Sequence, residues 1–261
     1  MVYKKIGYIA DFESEVVAQA LEELAKSYDL CDAQAHPPDY CDVIITLGGD
    51  GVMLKALHYV MGYSVPVFGM NRGSIGFLLN EFSKEKLIER LEQAAVNVLH
   101  PLEMRAITAE GTNHRALAVN EVSLLRETSQ TAKIKISINH ETQLDCLVSD
   151  GVLVSTPAGS SAYNFAAYGP IIPLDARILA LTPISPFRPK RWRGALLHCG
   201  NEIQFDILEP EKRPVSAVAD STEVRDVISV VVKERSDISM QLLFDPGNVL
   251  AERVLKEQFA I

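Results

Sequence analysis

Up to about residue 98, short apolar runs alternate with stretches of helical period. Residues 4–10 read as a strand, and Ser14 can cap a following helix in which Val17, Leu21 and Leu24 share a face. The run Val43–Leu47 (VIITL) is apolar apart from one Thr, the pattern of a strand buried on both faces of a parallel sheet. A helix is predicted over 52–60 and a strand over 65–70. A last helix opens at Ser83, with Leu87, Ile88, Leu91 and Ala95 turned inward. The order β-α-β-α-β-α predicts a doubly wound, Rossmann-like α/β domain over residues 1–98, with ligands at the carboxyl ends of its strands.

After Pro101 the period drops to two. Residues 133–138 (KIKISI) and Glu202–Ile207 (EIQFDI) alternate polar with apolar side chains, as strands with one wet face do, and 227–232 and 238–244 continue the series. These predict an all-β domain over 99–245. The tail over 246–261, with Val249, Leu250, Val254 and Leu255 on one face, predicts an amphipathic C-terminal helix that returns to pack on the N-terminal domain.

A length of 261 residues with 48% hydrophobic and 23% charged positions is ordinary for a folded protein and excludes a disulfide-stapled miniprotein. The net charge of -9 repels nucleic acid and anionic lipid, so neither is expected as a partner. Cys31, Cys41, Cys146 and Cys199 form no CxxC pair and read as reduced thiols. The first apolar run ends at Asp11, too early for a signal-peptide core, and a cytoplasmic setting is expected. Residues 151–174 carry no charge and are nominally long enough to cross a bilayer, but three prolines and three glycines argue against a spanning helix.

Four segments can carry chemistry. Gly48-Gly49-Asp50-Gly51 follows the buried strand and opens a helix, where amides can approach a phosphate closely. It lacks the Lys-Ser/Thr of a P-loop, and Asp50 would repel a phosphate it merely held, so its carboxylate suits a base on an attacking hydroxyl or a magnesium contact. A Gly-rich turn with Asp50 as helix cap remains the plain alternative. Gly69 to Leu78, with three glycines and Phe77, suggests a loop shaped around a flat ligand, although tight strand–helix packing explains it nearly as well. Asn120-Glu121 interrupts two apolar runs; the pair can grip adjacent ribose hydroxyls, or simply mark a bulge or turn. Asp150-Gly151-Val-Leu-Val-Ser155-Thr156-Pro157-Ala158-Gly159-Ser160-Ser161-Ala162-Tyr163 offers an acid, hydroxyls, small residues and a ring to a planar heteroaromatic group. A serine nucleophile is disfavoured, since no GxSxG elbow is present. None of the six histidines has metal-ligand spacing, and the basic run from Phe187 to Arg193 reads as an anion contact or a solvated loop.

The order strand-GGDG-helix, NRGxIGFL, NEV, DGVLVSTPAGSSAY and a C-terminal DPG resembles the NAD kinase family over essentially the whole chain. GGDG alone is shared with diacylglycerol and sphingosine kinases and phosphofructokinases; the Asn-Glu pair and the STPxGS-x-AY segment single out NAD kinases. The resemblance implies an α/β domain and a C-terminal β-sandwich with the site between them. It implies phosphoryl transfer from ATP, or polyphosphate, to the 2′-hydroxyl of the adenosine ribose of NAD, giving NADP, with Mg2+ or another divalent metal accompanying ATP. By the same resemblance Asp50 is the general base with Gly51 beside it, Lys55 takes the basic position one turn on, and all three count among the NAD-binding residues. Asn120 and Glu121 hold ribose and adenine, while Phe77, Asp150, Ala158, Ser161, Ala162, Tyr163 and Ala166 line the NAD pocket. Gly48 and Gly49 face the donor phosphates, and no metal ligands are assigned. A homodimer or homotetramer is expected. The chain departs from the family's usual pattern at Ser161, where Thr is common, at Val148, where a basic residue is common, and at Asp220-Ser221-Thr222, where an Asp-Gly-Gln-like turn is usual. Two rivals remain: a lipid kinase sharing GGDG, and a dinucleotide-binding regulator without turnover.

Overall fold

The structure is a computed structural model and describes residues 3–72 and 76–246. The chain divides into two units: residues up to Leu99 together with those from Ile238 on, and His100–Asp237.

In the first unit the elements are β1 (Ile6–Ala10), α1 (Glu15–Ala25), β2 (Leu30–Asp32), β3 (Val43–Leu47), α2 (Asp50–Tyr59), β4 (Val67–Asn71), β5 (Asn80–Glu81), α3 (Leu87–Gln93) and β6 (Ala95–Leu99). The sheet runs β2-β1-β3-β4, then the strand Met240–Phe244, then β6, with β5 beside β4. β1 to β5 pair in parallel, as βα connections require. All five residues of VIITL are buried. Val17 and Leu24 of α1, and Leu87 and Leu91 of α3, pack on Ile45 and Phe68 of the sheet.

Two expectations change here. The helix opened at Ser83 starts only at Leu87, after Lys86 takes a left-handed φ of 56°, and Ala95 leaves it to begin edge strand β6. The strand expected over 238–244 in the all-β domain instead lies in the first unit's sheet, parallel to β4 and antiparallel to β6. Four of its five residues are buried, the signature of an interior strand, and apolar periodicity carries no information about which sheet claims it. The C-terminal helix expected over 246–261 lies outside the described residues from Gly247 on, as do Gly73, Ser74 and Ile75.

The second unit contains β7 (Leu102–Thr108), β8 (Asn113–Ala118), β9 (Glu121–Arg126), β10 (Ala132–Ile138), β11 (Glu141–Ser149), β12 (Gly151–Ser155), α4 (Tyr163–Ala166), β13 (Ile178–Ile184), β14 (Ala195–His198), β15 (Glu202–Ile207), β16 (Val215–Ala219), β17 (Thr222–Val224) and β18 (Val227–Glu234). They form two six-stranded antiparallel sheets, β11-β10-β15-β18-β7-β8 and β14-β13-β12-β9-β16-β17. One core joins them, with Met104, Phe205 and Val230 from the first sheet and Leu124, Val154 and Leu181 from the second. The alternation in KIKISI and EIQFDI points the isoleucines and Phe205 largely inward and leaves the lysines and acids half-buried. An α/β domain and a β-sandwich are therefore both present.

The uncharged stretch becomes the buried strand β12, a 3-10 turn over Ala158–Ser161, and α4. Its buried polar side chains are satisfied internally. Buried Asn164 donates to the carbonyls of Ser160 (3.1 Å) and Pro170 (2.8 Å) and accepts from Thr182 (2.6 Å), and Ser160 Oγ accepts from the Ile172 amide (2.9 Å). Among the described residues no helix is long and apolar enough to cross a membrane.

Candidate functional site

In the first unit β3 delivers the chain into the GGDG turn. Gly48 has a φ of 146°, which L side chains rarely adopt, and a Cβ there would press on Val52. Gly49 takes the N-cap position of α2, and no side chain caps that first turn. Around both Gly49 and Gly51 the place of a Cβ is open, with no atom of the described residues within 4 Å apart from chain neighbours and the helix's own backbone, so packing among the described residues does not account for glycine at either position. Open amides at a helix N-terminus are where an anion binds well.

Asp50 is the first residue of α2 rather than its cap. Its exposed carboxylate accepts from the amides of Phe77 and Leu78, both at 3.4 Å. A Cβ on Gly76 would run into that carboxylate, so glycine at 76 lets the 76–78 backbone close around Asp50. Gly69 has a different reason: a Cβ would collide with Met53 of α2 and with Leu79, the tight packing foreseen as the alternative. Phe77 is half-buried and Lys55 exposed on α2. Two residues missed in the sequence hold this region. Buried Asn80 donates to the carbonyls of Gly69 and Leu243, both at 3.1 Å, and Arg90 grips Asp245 of the DPG motif through Nε (2.9 Å) and Nη2 (2.6 Å).

In the second unit Asn120 sits in the bend between β8 and β9, and Glu121 opens β9. The turn expected as the plain reading is real, yet it leaves polar atoms over. Asn120 Oδ1 and Glu121 Oε2 are buried and lack a partner among the described residues. A buried acceptor without a donor costs about 1–3 kcal/mol, so two side by side point to a ligand that supplies hydroxyl or amino donors. Burial, with the like charge of Asp220 adding to it, pushes the Glu121 carboxyl from its ordinary 4.5 up to about 7.

The STPAGS segment wraps this bend. The Thr156 amide donates to the Asn120 carbonyl (2.9 Å), Thr156 Oγ1 donates to the Val119 carbonyl (2.7 Å) and accepts from the Gly159 amide (3.0 Å). A Cβ on Gly159 would strike the Asn120 backbone, which fixes glycine there. Ala158 is buried beneath the turn, Ser161 and Tyr163 are half-buried, and Ala162 and Ala166 face outward. The Tyr163 phenol is pushed up by burial and by the charges of Glu121 and Asp150. Asp150 is half-buried and accepts from Arg126 Nε at 2.6 Å. Tyr163 is thus within electrostatic reach of both Glu121 and Asp150, three of the predicted pocket residues.

The basic run whose role the sequence left open docks on β11, where the Phe187 and Arg188 amides donate to the Val148 carbonyl at 2.7 and 3.1 Å. Arg191, Trp192 and Arg193 then line a cavity of about 470 Å3 that Tyr163 and Ala166 also line. The one available signal was the chain's single Trp between two arginines. Among the described residues no group of three His, Cys, Asp or Glu can hold a metal.

Residues 4–98 match the family model of the ATP-NAD kinase N-terminal domain, and residues 119–242 match that of the ATP-NAD kinase C-terminal domain. The chain belongs to the NAD kinase family. Among its relatives is an NAD kinase from Caulobacter vibrioides, 57% identical over 223 residues, which covers 85% of this chain and 86% of that one. Another, from Mesorhizobium japonicum, is 52% identical over 254 residues, 97% and 96% of the two chains. The fold is shared with yeast NADH kinase complexed with NADH, at a TM-score of 0.82 and 20% identity over 98% of this chain and 87% of that one. It is shared as well with an NAD kinase from Archaeoglobus fulgidus in complex with ATP, at a TM-score of 0.73 and 21% identity over 97% and 98%.

Proposed function

We propose that this chain is an NAD kinase that transfers the terminal phosphoryl group of ATP, or of polyphosphate, to the 2′-hydroxyl of the adenosine ribose of NAD, giving NADP. Membership of the family sets the reaction class. The single observation that carries the assignment of the acceptor is the pair of buried, unpartnered oxygens on Asn120 and Glu121, which suit the hydroxyls of a ribose and the amino group of an adenine.

In the reaction the 2′-oxygen forms a bond to the γ-phosphorus, the bond from that phosphorus to the β,γ-bridging oxygen breaks, and the 2′-hydroxyl proton passes to Asp50. Phosphoryl transfer asks chiefly for positioning and charge neutralisation, so a carboxylate and open amides serve without a covalent nucleophile. The exposure of Asp50, held on one side by the 77–78 amides, supports the base. The open space at Gly49 supports donor phosphates approaching the start of α2, together with Gly48 in the turn, while the open space at Gly51 and the cation of Lys55 one turn on belong with Asp50 to the side that NAD takes. Small or outward-facing Ala158, Ser161, Ala162 and Ala166, with Tyr163, Phe77 and Asp150, suit the walls of the NAD pocket. Arg191 and Arg193 bring positive charge to the cavity that Tyr163 lines, which suits a dinucleotide diphosphate. Magnesium belongs to this reading as part of the MgATP substrate, where it would shield the phosphates. Assembly as a homodimer or homotetramer, and a reducing cytoplasm in which the four cysteines stay free, belong to the same reading.

A coupled assay of NADP formation from NAD and MgATP tests it, with Asp50→Asn beside the wild type. Loss of a general base lowers turnover by about 10²–10⁴ while NAD affinity stays near that of the wild type. A D50N protein that turns over normally removes Asp50 from this role. Wild-type protein that binds NAD but makes no NADP with ATP or polyphosphate overturns the enzyme in favour of a binding protein.

A further inference from the structure

We propose that Asp220 is a positioning residue for the acceptor nucleotide, because its carboxylate holds the 119–121 backbone so that Asn120 and Glu121 turn their oxygens to NAD rather than to the chain. This rests on the reading of Asn120 and Glu121 given above.

The accounting of backbone groups leads there. An Asn beside a chain reversal usually spends its side-chain oxygen on nearby amides, which is why Asn is common in turns, and a buried Glu carboxylate next to free amides would accept from them as well. Here that demand is met elsewhere. The Val119 amide donates to Asp220 Oδ2 at 2.7 Å, and the Asn120 and Glu121 amides donate to Oδ1 at 3.1 and 3.2 Å. The Asp220 amide donates back to the Glu121 carbonyl at 3.2 Å. From the other side Thr156 Oγ1 serves the Val119 carbonyl and the Thr156 amide serves that of Asn120. All six backbone polar groups of the three residues are therefore satisfied without either side chain, and the two orphaned oxygens are the ones left over. Asp220 reaches them by taking a φ of 49° in the turn between β16 and β17. Three successive amides converging on one carboxylate also need its charge, since a neutral amide in its place points N–H at N–H on one side.

Its charge has a second effect. Among the described residues the titratable groups that face Glu121 are Asp220 from that turn and Tyr163 from α4. Tyr163 keeps its proton through the neutral range, so Asp220 is the neighbour whose loss lets Glu121 ionise more easily.

Steady-state kinetics of wild type, Asp220→Asn and Glu121→Gln across pH 5.5–8.5 test the assignment. D220N is expected to raise the KM for NAD about tenfold, as loss of charged hydrogen bonds does, with the KM for ATP within about twofold. The pH midpoint of the NAD KM is expected to move to lower pH. A merely structural role would raise both KM values together, lower the melting temperature and leave that midpoint in place, and this result overturns the proposal, as does an unchanged NAD KM. E121Q separates the two claims. If it raises the NAD KM while D220N does not, only the role of Asp220 falls; if E121Q also leaves it unchanged, the reading of the Asn-Glu pair falls with it. Should D220N not fold, Asp220→Glu keeps the charge but displaces the carboxylate by one methylene. It is expected to raise the NAD KM without moving the midpoint, and a wild-type NAD KM in that variant also overturns the assignment.

Discussion

Replacing Glu121 by Gln should make the ligand-free protein more stable at pH 8 and less able to bind NAD. The carboxyl stands at about 7 in the folded chain against an ordinary 4.5, a gap of about 2.5 units. At about 1.4 kcal/mol per unit, ionising it in place costs about 3 kcal/mol more than in the unfolded chain. The direction follows from proton counts. Below pH 4.5 both states hold the proton and the residue costs nothing. Between pH 4.5 and 7 the unfolded chain releases a proton that the folded chain retains, so stability falls as pH rises, and above 7 the loss is complete. Gln never ionises, but its buried N–H group needs an acceptor, which takes back about 1 kcal/mol. The expected gain is therefore about 2 kcal/mol at pH 8 and near zero at pH 5. Urea unfolding of both proteins at the two pH values, without nucleotide, measures it; taking the difference between variants cancels every other titrating group. Saturating NAD should narrow the gap at pH 8, because its hydroxyls then serve the carboxylate. A difference in stability that is the same at pH 5 and pH 8 would refute the reasoning, since it would mean that Glu121 titrates normally.

Two further substitutions probe neighbouring parts. Gly76→Ala places a methyl group against the Asp50 carboxylate and should reduce turnover at least about tenfold with little change in NAD affinity, read by kinetics beside a binding titration. Asn164→Ala removes the hub under the STPAGS turn and leaves Thr182 without its acceptor, so a loss of about 2–4 kcal/mol is expected in thermal or urea unfolding.

Much of this was legible in the chain itself, and where it was not the reasons are physical. VIITL and EIQFDI declare their strands because burial on two faces or one leaves a period that survives any tertiary context. GGDG could be placed at a strand–helix junction for the same reason, although its open space at Gly49 and Gly51 could not be seen. The strand Met240–Phe244 was assigned to the wrong unit, because periodicity reports burial and not the identity of the neighbour. Asp220 stood out only as part of the turn where the family usually reads Asp-Gly-Gln; its contacts stayed out of sight, since its partners lie about a hundred residues upstream and are backbone amides, which look alike in every sequence. Asn164 was hidden in the same way: an uncharged stretch announces that something polar must be satisfied internally, but not which side chain does it. The basic run around Trp192 showed its charge but not its place beside Tyr163.

The insertion of Met240–Phe244 between β4 and β6 also bears on the order in which the protein can be made. About 140 residues separate β6 from its antiparallel partner. At about 5–20 residues per second on the ribosome, β6 waits roughly 7–30 s for that partner to emerge. The β-sandwich, whose residues form one uninterrupted segment, has all its strands available first. The amino-terminal unit thus finishes last, and until the final strand is threaded in, β6 lacks its partner and β4 has only the two-residue β5 along that side, which leaves edges that chaperones or a second nascent chain can reach.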